Sequence, residues 1–104
     1  MTALEKLQSL RAQHADWSQE TFGTGSAVGP AKHLSLEALE VAEAPDDLLE
    51  HADCWLLLWD IQRRAGVSDA DLAEAISRKL AINKARTWAK AKDGEPVLHV
   101  KASV

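Results

Sequence analysis

The stretch LEALEVAEAPDDLLEHADCWLLLWD, residues 36–60, decides the fold because it joins two helical patterns across an abrupt break. Glu37 and Glu40 lie three residues apart among apolar neighbours, and Glu50 and Asp53 repeat that spacing. Carboxylates are rarely buried unless they are paired, so acids in such an apolar segment need a physical explanation. The proline between the two pairs disfavours helix at the residue before it, which predicts two helices joined by a tight turn.

Working outward from this stretch, helix-start and helix-stop residues divide the chain into four helices, a loop and a tail. Thr2 and Ser68 each open a capping box or a close variant of it, Asp46 or Asp47 suits a helix start, and Gly66 suits a helix stop. We expect a first helix from Thr2, followed by a glycine-rich loop over residues 20–33. A second helix should cover about 34–43, and a third should cover about 48–65. The fourth helix should run from 68 to about 92, and residues 93–104 should form a tail that holds at most a short strand. The predicted class is therefore all-α, with residues 1–104 forming one domain.

Composition narrows the classes of function. The net charge of −4 argues against a nucleic-acid-binding protein. The longest uncharged apolar run, residues 54–59, is far too short to cross a bilayer, and the first residues lack the layout of a signal peptide. Cys54 is the single cysteine, which suits a reducing compartment. We therefore expect a cytoplasmic protein that binds neither membrane nor nucleic acid.

The third predicted helix is apolar on every side between Ala52 and Trp59. A helix of this kind is buried all round, and the remaining helices of so short a chain can hardly surround it. The sequence therefore predicts a homo-oligomer in which this helix packs near its symmetry mate. Trp55 and Trp59 are candidate interface anchors, and the alternative is that both are ordinary core residues.

The two acidic pairs predict a metal site. Residues three apart share one helix face, and an antiparallel pair of helices would bring Glu37 and Glu40 close to Glu50 and Asp53. Four converging carboxylates repel and raise each other's pKa values, and a hard divalent cation such as Mg²⁺ removes that repulsion. The alternative, which spacing alone favours slightly, is a solvated acidic face.

The fourth predicted helix carries a complementary basic stripe. Lys79, Asn83, Arg86 and Lys90 follow steps of four, three and four residues, so they share one face. Arginine and lysine both bind phosphate oxygens, arginine in a bidentate geometry. The stripe is typical of a phosphate-binding face, and the alternative is a solvated basic helix end favoured by the helix dipole.

Three segments, taken in order, carry a family resemblance: HLSLEALE (33–40), PDDLLEHADCWLLLWDIQRRAG (45–66) and KLAINKARTW (79–88). Together they resemble the MazG-like all-α nucleoside triphosphate pyrophosphatases, and within them the short dATP/dGTP diphosphohydrolase branch. The resemblance extends over roughly residues 17–99. It implies a helical bundle of about four helices per chain, completed by homo-oligomerisation as a homodimer or homotetramer.

The resemblance also implies a reaction and roles for individual residues. The reaction is hydrolysis of a (d)NTP, with dATP and dGTP favoured, to the monophosphate and pyrophosphate. Mg²⁺ is the implied cofactor, with Mn²⁺ as the alternative ion, and Glu37 or Glu40 would take the proton of the attacking water. The implied roles are metal ligands at Glu37, Glu40, Glu50 and Asp53, phosphate contacts at Lys79, Asn83 and Arg86, and base contacts at Trp17, Phe22, Lys32 and His33. The alternative is a catalytically inactive nucleotide-sensing or protein-interaction module on the same scaffold.

Overall fold

The computed structural model of the protein describes residues 1–101, and it consists of four α-helices followed by a small antiparallel sheet. The all-α class and the number of helices are confirmed. The last three residues of the predicted tail, 102–104, lie outside the described residues. The elements are α1 (Ala3–Phe22), α2 (Val28–Glu43), α3 (Leu48–Ala65), α4 (Asp69–Ala85), β1 (Thr87–Trp88) and β2 (His99–Val100).

The chain divides into two compact units. The first runs from Met1 to Val67 and contains α1, α2 and α3, while the second begins at Ser68 and contains α4 and the sheet. In the sheet, β1 and β2 pair antiparallel, with Thr87 opposite Val100. The proposal that residues 1–104 form one domain stays a prediction.

Local capping chemistry explains where three of the helices begin. The side chains of Thr2, Asp47 and Ser68 each accept a backbone N–H from the following turn at 3.0–3.1 Å. A cap of this type stabilises a helix by about 1 kcal/mol. Gly66 ends α3 with φ of +69°, in the left-handed region that glycine reaches without strain. These starts and this stop agree with the sequence prediction.

The glycine-rich loop is shorter than predicted. Helix α1 continues to Phe22 and α2 already begins at Val28, so only residues 23–27 lie outside helix. The prediction of a loop over 20–33 was wrong because Gly29 and Pro30 were read as helix breakers. Both lie in the first turn of α2, where a backbone N–H has no partner within the helix and proline is tolerated.

The fourth helix is also shorter than predicted. Helix α4 ends at Ala85, and Arg86 is already extended, so the prediction of helix to residue 92 was wrong. The Trp88 indole Nε1 donates to the Asn83 carbonyl at 2.8 Å, and β1 then pairs with β2. Pairing with a strand about ten residues further along the chain overrides the local helix preference. As a consequence, Lys90 does not continue the helical stripe of Lys79 and Asn83.

In the first unit, α2 and α1 both pack against α3. Among residues 1–101 the buried positions are Ser18, Pro30 and Asp60, and no aliphatic or aromatic core side chain is buried with them. Ser18 is fully buried and donates its hydroxyl to Asp60 Oδ2 at 2.9 Å. The contact between α1 and α3 is therefore organised around a polar pair.

None of the helices in the described part of the chain combines the length and the apolar character that a membrane crossing requires.

Candidate metal centre

Helices α2 and α3 bring three glutamates together. Glu37 and Glu40 lie three residues apart on α2, and Glu50 lies in the first turn of α3. The turn that joins the helices is held by His51, whose Nε2 donates to the Pro45 carbonyl at 2.7 Å. This bond fixes the reversal of the chain just before Glu50, so the two helices present their acids to each other.

The geometry of the cluster suits a metal ion. One carboxylate oxygen from each of Glu37, Glu40 and Glu50 lies within 4.8 Å of the other two. The Glu37 side chain is only 18% exposed, and Glu50 Oε2 is buried with no hydrogen-bond donor within residues 1–101. Buried polar atoms are almost always paired, and three carboxylates offer hard oxygen ligands of the kind Mg²⁺ and Mn²⁺ prefer. The residues present therefore fit a divalent cation.

The crowding of negative charge in the cluster also changes the pKa of Glu50. The pKa of Glu50 rises from its ordinary 4.5 to about 7. The largest cause is a hydrogen bond with Glu40, followed by desolvation and then by the charges of Glu40, Asp47 and Asp53. Desolvation, together with nearby carboxylates that include Glu37, also raises the pKa of the Cys54 thiol. The surrounding acids therefore disfavour a negative charge at Glu50.

This shift predicts how stability depends on pH in the metal-free protein. The folded-state pKa of Glu50 lies above its unfolded value. The stability that Glu50 contributes to the fold is therefore complete below pH 4.5 and is lost as pH rises through about 7. The melting temperature in chelator should therefore fall across this range. Added Mn²⁺ should raise the melting temperature more at pH 8 than at pH 5, because at pH 5 it must displace the proton.

Thermal melts of the protein and of Glu50→Gln, with chelator and with Mn²⁺, check this expectation. The glutamine variant should lose most of the pH dependence between 4.5 and 7. An unchanged pH profile in Glu50→Gln would show that another group causes it.

Two other predicted site residues lie at or near the cluster. His33 Nε2 lies 3.0 Å from Glu37 Oε1, in a hydrogen bond across one helical turn. Asp53 is exposed and is not part of the three-glutamate group, although its charge contributes to the raised pKa of Glu50. Its role as a fourth ligand stays a prediction.

The remaining residues predicted to contact the base do not belong to the glutamate cluster. Trp17 and Phe22 form an edge-to-face pair at 5.5 Å between ring centres, and both are more than half exposed. They lie on α1 beside the Ser18–Asp60 contact, and Asp60 lies ten residues beyond Glu50 on α3, about 15 Å along its axis. Lys32 is exposed on α2.

The predicted phosphate contacts belong to the second unit. Lys79 and Asn83 lie on α4, and Arg86 lies directly after it. Arg86 Nη1 donates to Asn83 Oδ1 at 3.3 Å, so these two side chains form one polar group. Their role in phosphate binding stays a prediction.

Sequence reasoning missed the buried polar network of the first unit. Arg63 donates to Gln19 Oε1 at 2.6 Å, to Ser18 Oγ at 3.3 Å and to Asp60 Oδ1 at 3.3 Å. His14 Nε2 approaches Asp60 Oδ2 at 3.8 Å. The available signal was an acid directly after the apolar run of α3, which is where an unpaired charge would be costly.

Comparison with known proteins identifies the family of the chain. The sequence profile of the dATP/dGTP pyrophosphohydrolase family matches residues 10–104. The chain belongs to this family. The predicted resemblance is thereby confirmed.

Individual relatives of this pyrophosphohydrolase family member come from phages. The Eaa protein of Salmonella phage P22 is 55% identical over 94 residues, which cover 90% of this chain and 30% of that protein. A dATP/dGTP diphosphohydrolase of Salmonella phage PMBT28 is 35% identical over 79 residues, covering 75% of this chain and 26% of that protein. The chain thus spans less than a third of the length of either relative.

A solved structure shows the same fold over most of the chain. It is the cyanophage S-2L MazG-like pyrophosphohydrolase bound to dGDP and to three catalytic Mn²⁺ ions per active site. The match has a TM-score of 0.68 and 34% sequence identity, and it covers 92% of this chain and 94% of that one. The MazG-like fold predicted from sequence is therefore confirmed.

Proposed function

We propose that this chain hydrolyses dATP and dGTP at the bond between the α and β phosphates, releasing a deoxynucleoside monophosphate and pyrophosphate. The observation that carries the proposal is the convergence of Glu37, Glu40 and Glu50 oxygens within 4.8 Å of one another. Membership of the dATP/dGTP pyrophosphohydrolase family supports the substrate class. The cytoplasm is the proposed location, where such triphosphates are available and the free thiol of Cys54 stays reduced.

The glutamate cluster, with Asp53 as a fourth ligand, would hold one or more divalent cations. We propose Mg²⁺ as the working ion and Mn²⁺ as its substitute, since the cyanophage S-2L protein binds Mn²⁺. Such an ion, when bound, polarises the attacked phosphoryl group and lowers the pKa of a bound water. The protein supplies ligands that the turn before Glu50 already holds in place.

Proton transfer falls to the glutamates of α2. Glu37 or Glu40 accepts the proton of the attacking water, and each must be ionised to do so. The His33 hydrogen bond restricts the Glu37 carboxylate to one orientation, as outer partners of metal-binding groups commonly do. Glu50, whose pKa is raised to about 7 in the metal-free chain, would be held ionised by the cation.

Cationic side chains of the second unit would stabilise the departing pyrophosphate. We assign this role to Lys79 and Arg86, with Asn83 holding the Arg86 guanidinium through the bond at 3.3 Å. Positive charge placed where negative charge develops lowers the barrier. Base recognition is assigned to Trp17, Phe22, Lys32 and His33, and the aromatic faces of the first two would stack on a purine.

Assembly as a homodimer or homotetramer completes the proposal. Leu48, Trp55 and Leu58 share one face of α3 and are 79%, 59% and 41% exposed. A soluble chain rarely leaves such a continuous apolar face open. Because the described residues include no buried aliphatic or aromatic side chain, a second copy is the occupant that would complete the core.

Trp55→Glu should therefore shift the protein toward monomer and lower its melting temperature by several degrees. A charge placed in an apolar interface carries a large desolvation penalty. Light scattering after size exclusion gives the mass, and Trp55→Phe is the matched control because it keeps an aromatic side chain. An oligomer of unchanged mass in Trp55→Glu would show that this face of α3 is not the interface.

A turnover assay tests the proposed reaction. Purified protein is incubated with each of the eight common NTPs and dNTPs, with Mg²⁺, with Mn²⁺ and with chelator. We expect metal-dependent pyrophosphate and monophosphate, with dATP and dGTP turned over fastest. Orthophosphate as the sole phosphate product, or no product from any nucleotide, would contradict the proposal, and the latter would favour a nucleotide-sensing module.

A further inference from the structure

In the second unit, a tryptophan side chain caps the end of α4. The last carbonyl groups of a helix have no N–H partner within the helix itself. Here the Asn83 carbonyl accepts two hydrogen bonds from residues beyond the helix end. One comes from the Trp88 indole Nε1 at 2.8 Å, and the other comes from the Arg86 backbone N–H at 3.3 Å. Trp88 therefore fixes the backbone of Asn83 from outside the helix.

The same asparagine holds the guanidinium group that we assign to phosphate binding. Arg86 Nη1 donates to Asn83 Oδ1 at 3.3 Å, and both residues are half-buried. This bond uses one of the five N–H donors of the guanidinium, and a planar guanidinium pairs with phosphate through two parallel N–H donors. A continuous chain of hydrogen bonds thus runs from the Trp88 indole through Asn83 to Arg86.

The indole N–H also changes the electrostatics at the helix end. The C-terminal end of a helix carries partial negative charge on its unpaired carbonyl groups, and such charge beside Arg86 would repel a phosphate group. The indole N–H pairs with the Asn83 carbonyl and so offsets part of that charge. The contact therefore favours an anion at Arg86 as well as holding the guanidinium in place.

The hairpin that follows α4 fixes the orientation of the indole. Trp88 lies opposite His99 in the pairing of β1 with β2, and the two rings meet edge to face with their centres 5.8 Å apart. The Ala89 backbone N–H donates to the Leu98 carbonyl at 3.0 Å and extends the pairing. Trp88 is nevertheless 41% exposed, so its ring is not a core residue. Its hydrogen bond to α4 is the contact that only a tryptophan at this position supplies.

We propose that Trp88 is a positioning residue for the phosphate contacts, an inference that rests on the role of Arg86 and Asn83 in the proposed function. The indole holds the Asn83 backbone, the Asn83 amide oxygen holds the Arg86 guanidinium, and the guanidinium binds the pyrophosphate portion of the nucleotide. Trp88 acts through Arg86 and does not itself contact the substrate.

Calorimetric binding of inorganic pyrophosphate at saturating Mg²⁺ tests this inference without requiring turnover. Trp88→Phe keeps an aromatic ring beside His99 but removes the donor, and it should weaken pyrophosphate binding about tenfold. In an Arg86→Ala background the same change should alter the affinity by less than about twofold, because the group that Trp88 positions is gone. Trp59→Phe is the matched control, since it makes the same substitution on α3 and should leave pyrophosphate affinity unchanged.

The indole N–H signals of the four tryptophans provide a second measurement. In proton–nitrogen correlation spectra, the signal that disappears in Trp88→Phe belongs to Trp88. Pyrophosphate should shift this signal in the parent protein but not in Arg86→Ala. A purely structural role for Trp88 would lower the melting temperature of Trp88→Phe without linking its indole signal to the anion.

The outcomes separate this inference from the proposed function. Pyrophosphate affinity that Arg86→Ala weakens and Trp88→Phe does not would overturn the inference alone. An equal loss of affinity for Trp88→Phe in both backgrounds would also overturn it, because the effect would then not pass through Arg86. No pyrophosphate binding by the parent protein, or binding that Arg86→Ala leaves unchanged, would overturn the proposed phosphate contacts and this inference with them.

Discussion

Glu50→Gln is expected to lower kcat for dGTP on the order of a thousandfold. The proposed ligand set loses the negative charge of a carboxylate whose Oε2 is buried. A metal ion supplies several kcal/mol of transition-state stabilisation, and each 1.4 kcal/mol is worth about tenfold in rate. Steady-state turnover at saturating Mg²⁺ and Mn²⁺ measures the loss, and calorimetric titration with Mn²⁺ measures the accompanying loss of affinity.

The fold should survive this change. Removing one carboxylate relieves the crowding that raises the pKa of Glu50, so the metal-free variant should melt at or above the temperature of the parent protein near pH 8. Glu43→Gln is the matched control, because Glu43 is an exposed acid at the end of α2 outside the cluster. A folded Glu50→Gln protein that keeps a tenth or more of its activity would refute the assignment of this metal ligand.

Asp60→Ala is expected to have the largest effect on stability, a loss of about 3–5 kcal/mol. Asp60 is 5% exposed and accepts hydrogen bonds from Ser18 at 2.9 Å and from Arg63 at 3.3 Å. Alanine would leave a buried hydroxyl and a partly buried guanidinium without this acceptor. Since small domains are stable by only about 5–15 kcal/mol, such a loss would remove a large share of the free energy of unfolding.

Urea unfolding followed by circular dichroism measures this effect, at one fixed protein concentration because assembly changes apparent stability. Asp16→Ala is the matched control, since Asp16 is an exposed acid on α1 and its removal should cost less than about 0.5 kcal/mol. Asp60→Asn should lie between the two, because the amide oxygen still accepts from Arg63. A loss below about 1 kcal/mol in Asp60→Ala would show that the network is not structurally important.

The success of the fold prediction followed the strength of local signals. Side-chain caps act within one turn, so the starts at Thr2, Asp47 and Ser68 could be predicted from neighbouring residues alone. The prediction of the loop after α1 gave too much importance to glycine and proline. How much these residues destabilise a helix depends on their position in it. At Gly29 and Pro30 that position is the first turn of α2, where the cost is small.

The end of α4 could not be predicted for a different reason. A strand of two residues has almost no sequence signature, and β1 exists because it pairs with β2 about ten residues later. The basic stripe therefore ends at Arg86, and Lys90 lies outside the helix. Contacts between distant residues decide such boundaries, and a periodic pattern reports only local preference.

For the site, the sequence by itself determined which acids could meet. The spacing of Glu37 and Glu40 and the turn at Pro45 are local properties, and they were sufficient to predict that Glu50 would approach this pair. Only the tertiary structure decided that Asp53 stays exposed outside the group of three. The rotation of a helix about its axis and its packing angle determine which of two acids on one face reaches the metal site. Residue spacing determines neither of them.

The buried polar network belongs wholly to the tertiary structure. Ser18 and Arg63 are 45 residues apart in the chain, and their contact depends on how α1 lies across α3. A polar residue such as Ser18 usually signals exposure in a sequence, yet here it is fully buried because Asp60 accepts its hydroxyl. Burial of a polar group depends on a partner, and that partner exists only after the helices have packed.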